Sequence, residues 1–384
     1  MADDLFSRDP PPCPPQSDRD RLDRLRLIRS RRVGPATFHR LMREYGSATA
    51  ALKALPEVAK AAGVTDYTPC PPETAAHEFQ AARGAGARPV WLGEADYPAA
   101  LLDLADAPPL LWLRGTAALF NRPAVALVGA RNASSLGRRM AQRLAADLSG
   151  AGYAIVSGLA RGIDTAAHRA ALKGGTAAVL AGGVDVIYPA ENGALADEIL
   201  TTGALLSERP MGMQPLARHF PARNRIISGL VRGVVVVEAA LKSGSLITAR
   251  NALDQGREVL ATPGHPIDAR ASGCNALIRD GATLVRGAAD VIEALGAAKP
   301  APPAEGPDLS DPPEPAPVPA PAPAVPGNLQ KRILGRLSTA PVAIDQLIRD
   351  LDLPARMVTP ELTTLELEGR IERRAGGLVA LAAA

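Results

Sequence analysis

Between Arg209 and Arg232 the chain carries five arginines, Arg209, Arg218, Arg223, Arg225 and Arg232, with one phenylalanine, Phe220, and no aspartate or glutamate. Guanidinium groups pair with phosphate oxygens and an aromatic ring offers a base a face to stack on, so this composition suits a surface that meets a polynucleotide backbone. A solvated loop anchored by a buried ring has the same composition. Three neighbouring loops favour the first reading.

The run AVALV (124–128) is followed by GARNASSLGRR. Gly129 suits a tight turn, Ser134 or Ser135 can cap the next helix, and the N–H groups of that helix start make a seat for an anion. The pattern approaches the dinucleotide fingerprint G-x-G-x-x-G, but Arg131 stands where the second glycine would admit a pyrophosphate. The run YAIVS ends in Ser157 and Gly158, where a dinucleotide-binding protein would place the acid that holds the ribose hydroxyls. Both departures speak against a nicotinamide cofactor and for phosphate read by arginine. The chain continues as SGLARGIDTAAHRAAL, in which Arg161 adds a cation, Gly158 and Gly162 leave backbone free for a close ligand, and Asp164 is placed to cap a helix. Asp164 and His168 have metal or acid–base spacing, but with no third ligand evident they read as a helix-stabilising pair. In KSGSLITA, Ser243, Gly244 and Ser245 precede another helix and add a further seat. Several seats beside an arginine-rich loop exceed the needs of one mononucleotide and suit a phosphodiester strand. No cofactor, metal or catalytic residue is expected.

These loops must be held by a scaffold. Short apolar runs at 124–128, 153–157, 176–180, 204–208, 234–238, 258–262 and 282–285 alternate with helical stretches, which predicts an α/β, doubly wound, mostly parallel Rossmann-like sheet covered on both faces. Residues 1–19 are expected to be disordered, since five prolines lie between positions 10 and 15. Residues 20–86 read as a small all-α domain, with RRVGPATFHRLMREYGS like a helix-hairpin-helix or sterile-alpha-motif unit. The sheet domain is placed at 88–298. A spacer follows at 299–326, with twelve prolines in twenty-eight positions. The order helix, helix, helix, hairpin predicts a winged helix over 327–384, its hairpin turning at Gly376 and Gly377. The second half of its third helix holds Glu361, Glu366 and Glu368 and no basic residue. Phosphate neutralisation dominates DNA affinity, so this unit is expected to be a protein-interaction or autoregulatory module, with Arg370, Arg373 and Arg374 as its phosphate contacts.

The 384 residues are 47% hydrophobic and carry a net charge of +3. That charge is too small to steer the whole molecule to nucleic acid or membrane, so a polyanion site must be local. Cys13, Cys70 and Cys274 are scattered without C-x-x-C spacing, which suggests neither a disulfide framework nor a cysteine zinc site. With no apolar leader and no run of eighteen apolar residues, a cytoplasmic protein is expected.

The ordered set VGAR (128–131), SGLARGID (157–164), YPAEN (188–192), LLSERP (205–210), HFPARNRIISGL (219–230), SGSLITA (243–249), PGHP (263–266) and GCNALIRDGA (273–282) resembles the DNA-processing protein A family, DprA or Smf. The resemblance implies a non-catalytic protein that binds single-stranded DNA, forms a homodimer and helps load RecA recombinase during natural transformation. It maps the strand onto Arg131, onto Gly158 and Gly162, and onto Phe220, Arg223, Asn224 and Arg225. Ala217 stands where some relatives carry a basic residue, a place Arg218 can fill. The competing expectation is a nucleotide phosphoribohydrolase of the lysine-decarboxylase-like type, in which Glu238 is the nearest carboxylate to the loops and Asn251 stands in the helix where that family carries a glutamate.

Overall fold

The computed structural model describes residues 13–298, 329–338, 340–374 and 378–382. The proline-rich spacer and the glycine pair of the last hairpin lie outside them. Four helices come first, α1 (Asp18–Arg29), α2 (Pro35–Tyr45), α3 (Ala48–Ala61) and α4 (Pro72–Gly84). Ser17 accepts the Asp20 N–H and starts α1 inside the segment expected to be disordered. Gly46 ends α2 in the left-handed region at φ 72, and Ser47 then caps α3.

The sheet body follows as β1 (Arg88–Trp91), β2 (Leu110–Gly115), β3 (Ala124–Val128), α5 (Ser135–Gly150), β4 (Ala154–Ser157), α6 (Ile163–Ala171), β5 (Thr176–Val179), α7 (Gly193–Thr202), β6 (Ala204–Ser207), α8 (His219–Gly229), β7 (Gly233–Val236), α9 (Ser245–Asp254), β8 (Glu258–Ala261), α10 (Ser272–Arg279), β9 (Thr283–Leu284) and α11 (Ala288–Leu295). Nine strands run in the order β1-β2-β6-β5-β4-β3-β7-β8-β9. All neighbours from β6 to β9 are parallel, and β1 and β2 extend the sheet antiparallel at the β6 edge. That pair was not anticipated, because no helix separates its strands and its cover comes from a distant segment. Leu25 and Ala75 of the N-terminal helices join Trp91, Trp112 and Leu205 in one cluster. Beside it Glu78 accepts the Trp112 Nε1–H at 2.7 Å and pairs with Arg29 at 2.8 Å.

Side-chain alternation divides the parallel strands between two cores. Val125, Leu127 and Ile155 face Leu144 and Leu148 of α5, while Ala126, Val128 and Val156 face Ile226 and Ile227 of α8. Strands buried on both faces are what a parallel sheet requires. Among the described residues, no helix is long and apolar enough to cross a membrane.

The last unit comprises α12 (Leu329–Leu334), β10 (Val342–Ala343), α13 (Ile344–Leu351), α14 (Ala355–Leu367), β11 (Ile371–Arg374) and β12 (Leu378–Leu381). Its three strands order β10-β12-β11 around Ile333, Leu347, Val358 and Leu362, as a winged helix. It leans on the turn between β3 and α5. Arg336 O accepts the Ser135 N–H at 3.0 Å and Arg336 Nη1 donates to Ala133 O at 3.2 Å. Arg270 donates to Gly335 O at 3.2 Å and to Leu337 O, and Arg138 donates to Asp350 O at 3.0 Å.

Candidate nucleic-acid interface

Strand order reverses at β3, which has β4 on one side and β7 on the other. Ligands of such sheets bind beyond the carboxyl ends of the strands at that point. A crevice of about 940 Å³ lies there, walled by Gly129 and Arg131 after β3, by Lys242, Ser243 and Gly244 after β7, and by Phe220 at the start of α8.

Arg131 is exposed, and its guanidinium carbon lies 4.9 Å from the Phe220 ring centroid. Among the described residues it makes no hydrogen bond or ion pair with protein. Tyr188, 51% exposed, stands edge-on to Phe220 with centroids 5.9 Å apart. Two rings and a free guanidinium therefore meet at the mouth of the crevice, an arrangement able to stack bases and hold phosphate. Tyr188 was not among the expected contact residues. Its signal in the sequence was an aromatic in the loop that follows a buried parallel strand.

The arginine-rich segment divides into inward and outward members. Arg223 is only 6% exposed and its Nη1 donates to Gly158 O at 2.6 Å and to Val179 O at 2.5 Å. Burial lowers its pKa to about 10, with Asp164 opposing the shift, so it stays charged at neutral pH. Arg225 is held by Glu208 at 2.5 Å and Asp106 at 3.2 Å. These two residues brace the site from within, which differs from the open phosphate contacts expected of them. Protein acceptors hold Arg223 at Nη1 and Nε and Arg225 at Nε, Nη1 and Nη2. Arg218 is exposed beside His219 but lines no wall of the crevice. Arg161 pairs with Glu191 at 2.8 Å with both side chains more than half exposed. Asn224 lies at the crevice floor, where its Nδ2 donates to Gly244 O at 3.4 Å.

The glycines act on protein neighbours. A Cβ on Gly158 would lie 2.1 Å from Arg223 Nη1, so its bareness admits the guanidinium. A Cβ on Gly162, at φ 77, would meet Ala130 O at 2.3 Å, so this glycine lets two loops touch. Ser157 is fully buried and donates to Leu127 O at 2.7 Å, a bond that ties β4 to β3. The seat at the start of α5 is already filled. Glu238 accepts the Ser134 N–H at 3.0 Å and the Ser134 hydroxyl at 2.6 Å, while Ser134 caps Gly137 N–H. Burial pushes the Glu238 carboxyl up, and the Ser134 bonds pull it back. The start of α9 is the open seat: Gly244 faces free space and the Ser243 and Ser245 hydroxyls pair at 2.7 Å.

Asp164 and His168 do not bond to each other. Asp164 accepts the Gly158 and Ala160 N–H groups at 3.0 and 3.3 Å, and so shapes the loop from inside α6, whose cap is Gly162. His168 is fully buried between the Leu159 N–H at 3.4 Å and Thr176 Oγ1 at 2.8 Å. Thr176 donates to Ile155 O, so His168 Nδ1 carries the proton and Nε2 accepts. Desolvation, then the Arg223 charge, brings its pKa down to about 3.

Residues 88–296 match the family model of the DNA recombination-mediator protein A. Residues 18–81 match a DprA-like N-terminal HHH domain, and 313–377 match a DprA winged helix domain. The DNA processing protein DprA of Streptococcus pneumoniae is 48% identical over 198 residues, covering 51% of this chain and 70% of that protein. The X-ray structure of DprA from the same organism superposes with a TM-score of 0.54 at 43% identity, over 58% of this chain and 77% of the other. DNA processing protein A from Helicobacter pylori, whose structure concerns a single-stranded DNA binding mode, gives 0.51 at 30% identity, over 55% and 97%.

Proposed function

The chain belongs to the DNA recombination-mediator protein A family, and we propose that it grips single-stranded DNA in the crevice at the sheet's reversal point. The carrying observation is the exposed, unpaired Arg131 guanidinium 4.9 Å from the Phe220 ring. A DNA-processing role in recombination follows from the family. An unpaired strand is the form whose bases can reach Phe220 and Tyr188 while phosphates meet Arg131 and the α9 seat, because stacked and paired bases hide their faces. The strand would then be handed to a RecA recombinase during natural transformation, with the protein acting as a homodimer. Membership of the family supports both steps.

Binding proceeds without turnover in this reading. Glu238 is committed to Ser134 and lines no wall of the crevice, while Asp164, which does line it, accepts the Gly158 and Ala160 N–H groups, so neither is free to protonate a leaving group there. That disfavours the phosphoribohydrolase alternative, which incubation with nucleoside monophosphates and chromatography for released base would detect.

The central test is anisotropy titration of single- and double-stranded oligonucleotides against salt. Single strands should bind more tightly, and equal affinity for duplex would overturn the assignment. A pull-down of recombinase with and without oligonucleotide tests the hand-over.

A further inference from the structure

We propose that the winged helix extends the DNA track, so that a strand leaving the crevice runs on through a second groove between α12–α13 and the sheet body. The proposal rests on the crevice reading above. The groove encloses about 730 Å³ and is continuous with the crevice, since Arg131, Asn132, Ala160, Tyr188 and Phe220 line both. The sheet body contributes Arg131, Arg138, Arg161 and Arg169 to its lining, and the winged helix adds Lys331, Arg332 and Arg336. The acids on the same walls are Glu191, Asp350 and Asp352.

The way these cations are held is informative. Arg138 donates to Asp350 O, Arg336 to Ala133 O and Arg332 to Leu351 O at 2.8 Å. A backbone carbonyl positions a guanidinium but does not cancel its charge. Among the described residues the side chains of Arg169 and Lys331 have no hydrogen-bond or ion-pair partner, and Arg161 alone of the seven forms an ion pair, with Glu191. Docking that draws like charges to facing walls is opposed by their repulsion unless an anion lies between them. A chain of phosphates supplies that anion along the length of the groove.

The cations that the winged helix brings to the groove lie on α12 and the turn that follows it. Arg370 of the wing sits 3.7 Å from Glu368, and the side chains of Arg373 and Arg374 lie outside the described residues. No described residue of the acidic α14 lines the groove, and its Glu361 instead accepts from Gln330 at 2.8 Å.

Full-length protein carrying Lys331→Glu tests the idea by anisotropy with oligothymidylates of about 6 and about 20 nucleotides, the shorter filling the crevice alone. The Lys331 side chain is exposed and makes no protein bond, so the variant keeps the fold. Affinity for the longer strand should fall about fivefold at low salt and its salt slope by about 0.7 or more, with the shorter strand unaffected. Unchanged or tighter binding of the longer strand would overturn the extension, and so would equal losses at both lengths. Arg131→Ala separates the two readings: if it weakens both lengths while Lys331→Glu weakens neither, only the extension is lost. If Arg131→Ala weakens neither length, the crevice itself is wrongly assigned.

Discussion

Arg223 fills the space that Gly158 leaves open, its guanidinium donating to the Gly158 carbonyl at 2.6 Å from beneath the loop that follows β4. Adding a methyl group at residue 158 forces that guanidinium aside. Gly158→Ala should destabilise the protein by about 1–3 kcal/mol. Arg223→Ala leaves the buried Asp164 without its neighbouring charge and should cost about 3–5 kcal/mol. Urea unfolding measures both. If Arg223→Ala kept the wild-type midpoint and lost DNA affinity instead, Arg223 would be a phosphate contact after all.

Arg131→Ala should behave in the opposite manner. The side chain is exposed and unpaired, so the urea midpoint should stay put while single-strand affinity falls equally across base sequences. The slope of log affinity against log salt should drop by about 0.7 for the lost phosphate contact. A sequence-dependent loss would point to a base contact.

The rings should separate from the cation by their salt behaviour. Phe220→Ala and Tyr188→Ala each remove a stacking face and should weaken binding by about 1–3 kcal/mol with little change in salt slope. Slopes reduced as far as that of Arg131→Ala would show that the rings act by placing the guanidinium, which lies 4.9 Å from Phe220.

His168 makes stability depend on pH. Its pKa is lowered from 6.5 to about 3 in the folded protein, so the unfolded chain takes up a proton that the folded one refuses. The stability it contributes is complete above about pH 6.5 and is lost as pH falls toward 3, at up to about 1.4 kcal/mol per pH unit. Urea midpoints of wild type and His168→Gln should converge on acidification, the wild type falling more steeply. Parallel curves would rule His168 out as the source.

Much of the scaffold was legible because it depends on local pattern. Apolar runs such as AVALV, buried at every position, can only be strands covered on both faces. The winged-helix order was equally readable. The antiparallel pair β1 and β2 was not, since Trp91 and Trp112 are buried with Leu25 of α1 and Ala75 of α4, and nothing in RPVW or LLWLRG announces that cover. Tyr188 escaped for a related reason: its role comes from standing beside Phe220, thirty-two positions later.

The sequence by itself determined the parallel part of the sheet, the loops that crown it and the local excess of arginine on one of them. Tertiary structure alone decided which of those arginines face outward. The acceptors that hold Arg223 are carbonyls 65 and 44 positions distant, at Gly158 and Val179. A guanidinium becomes a brace when such acceptors replace its water and a phosphate site when they do not, and that choice is made by neighbours in space that local composition does not record.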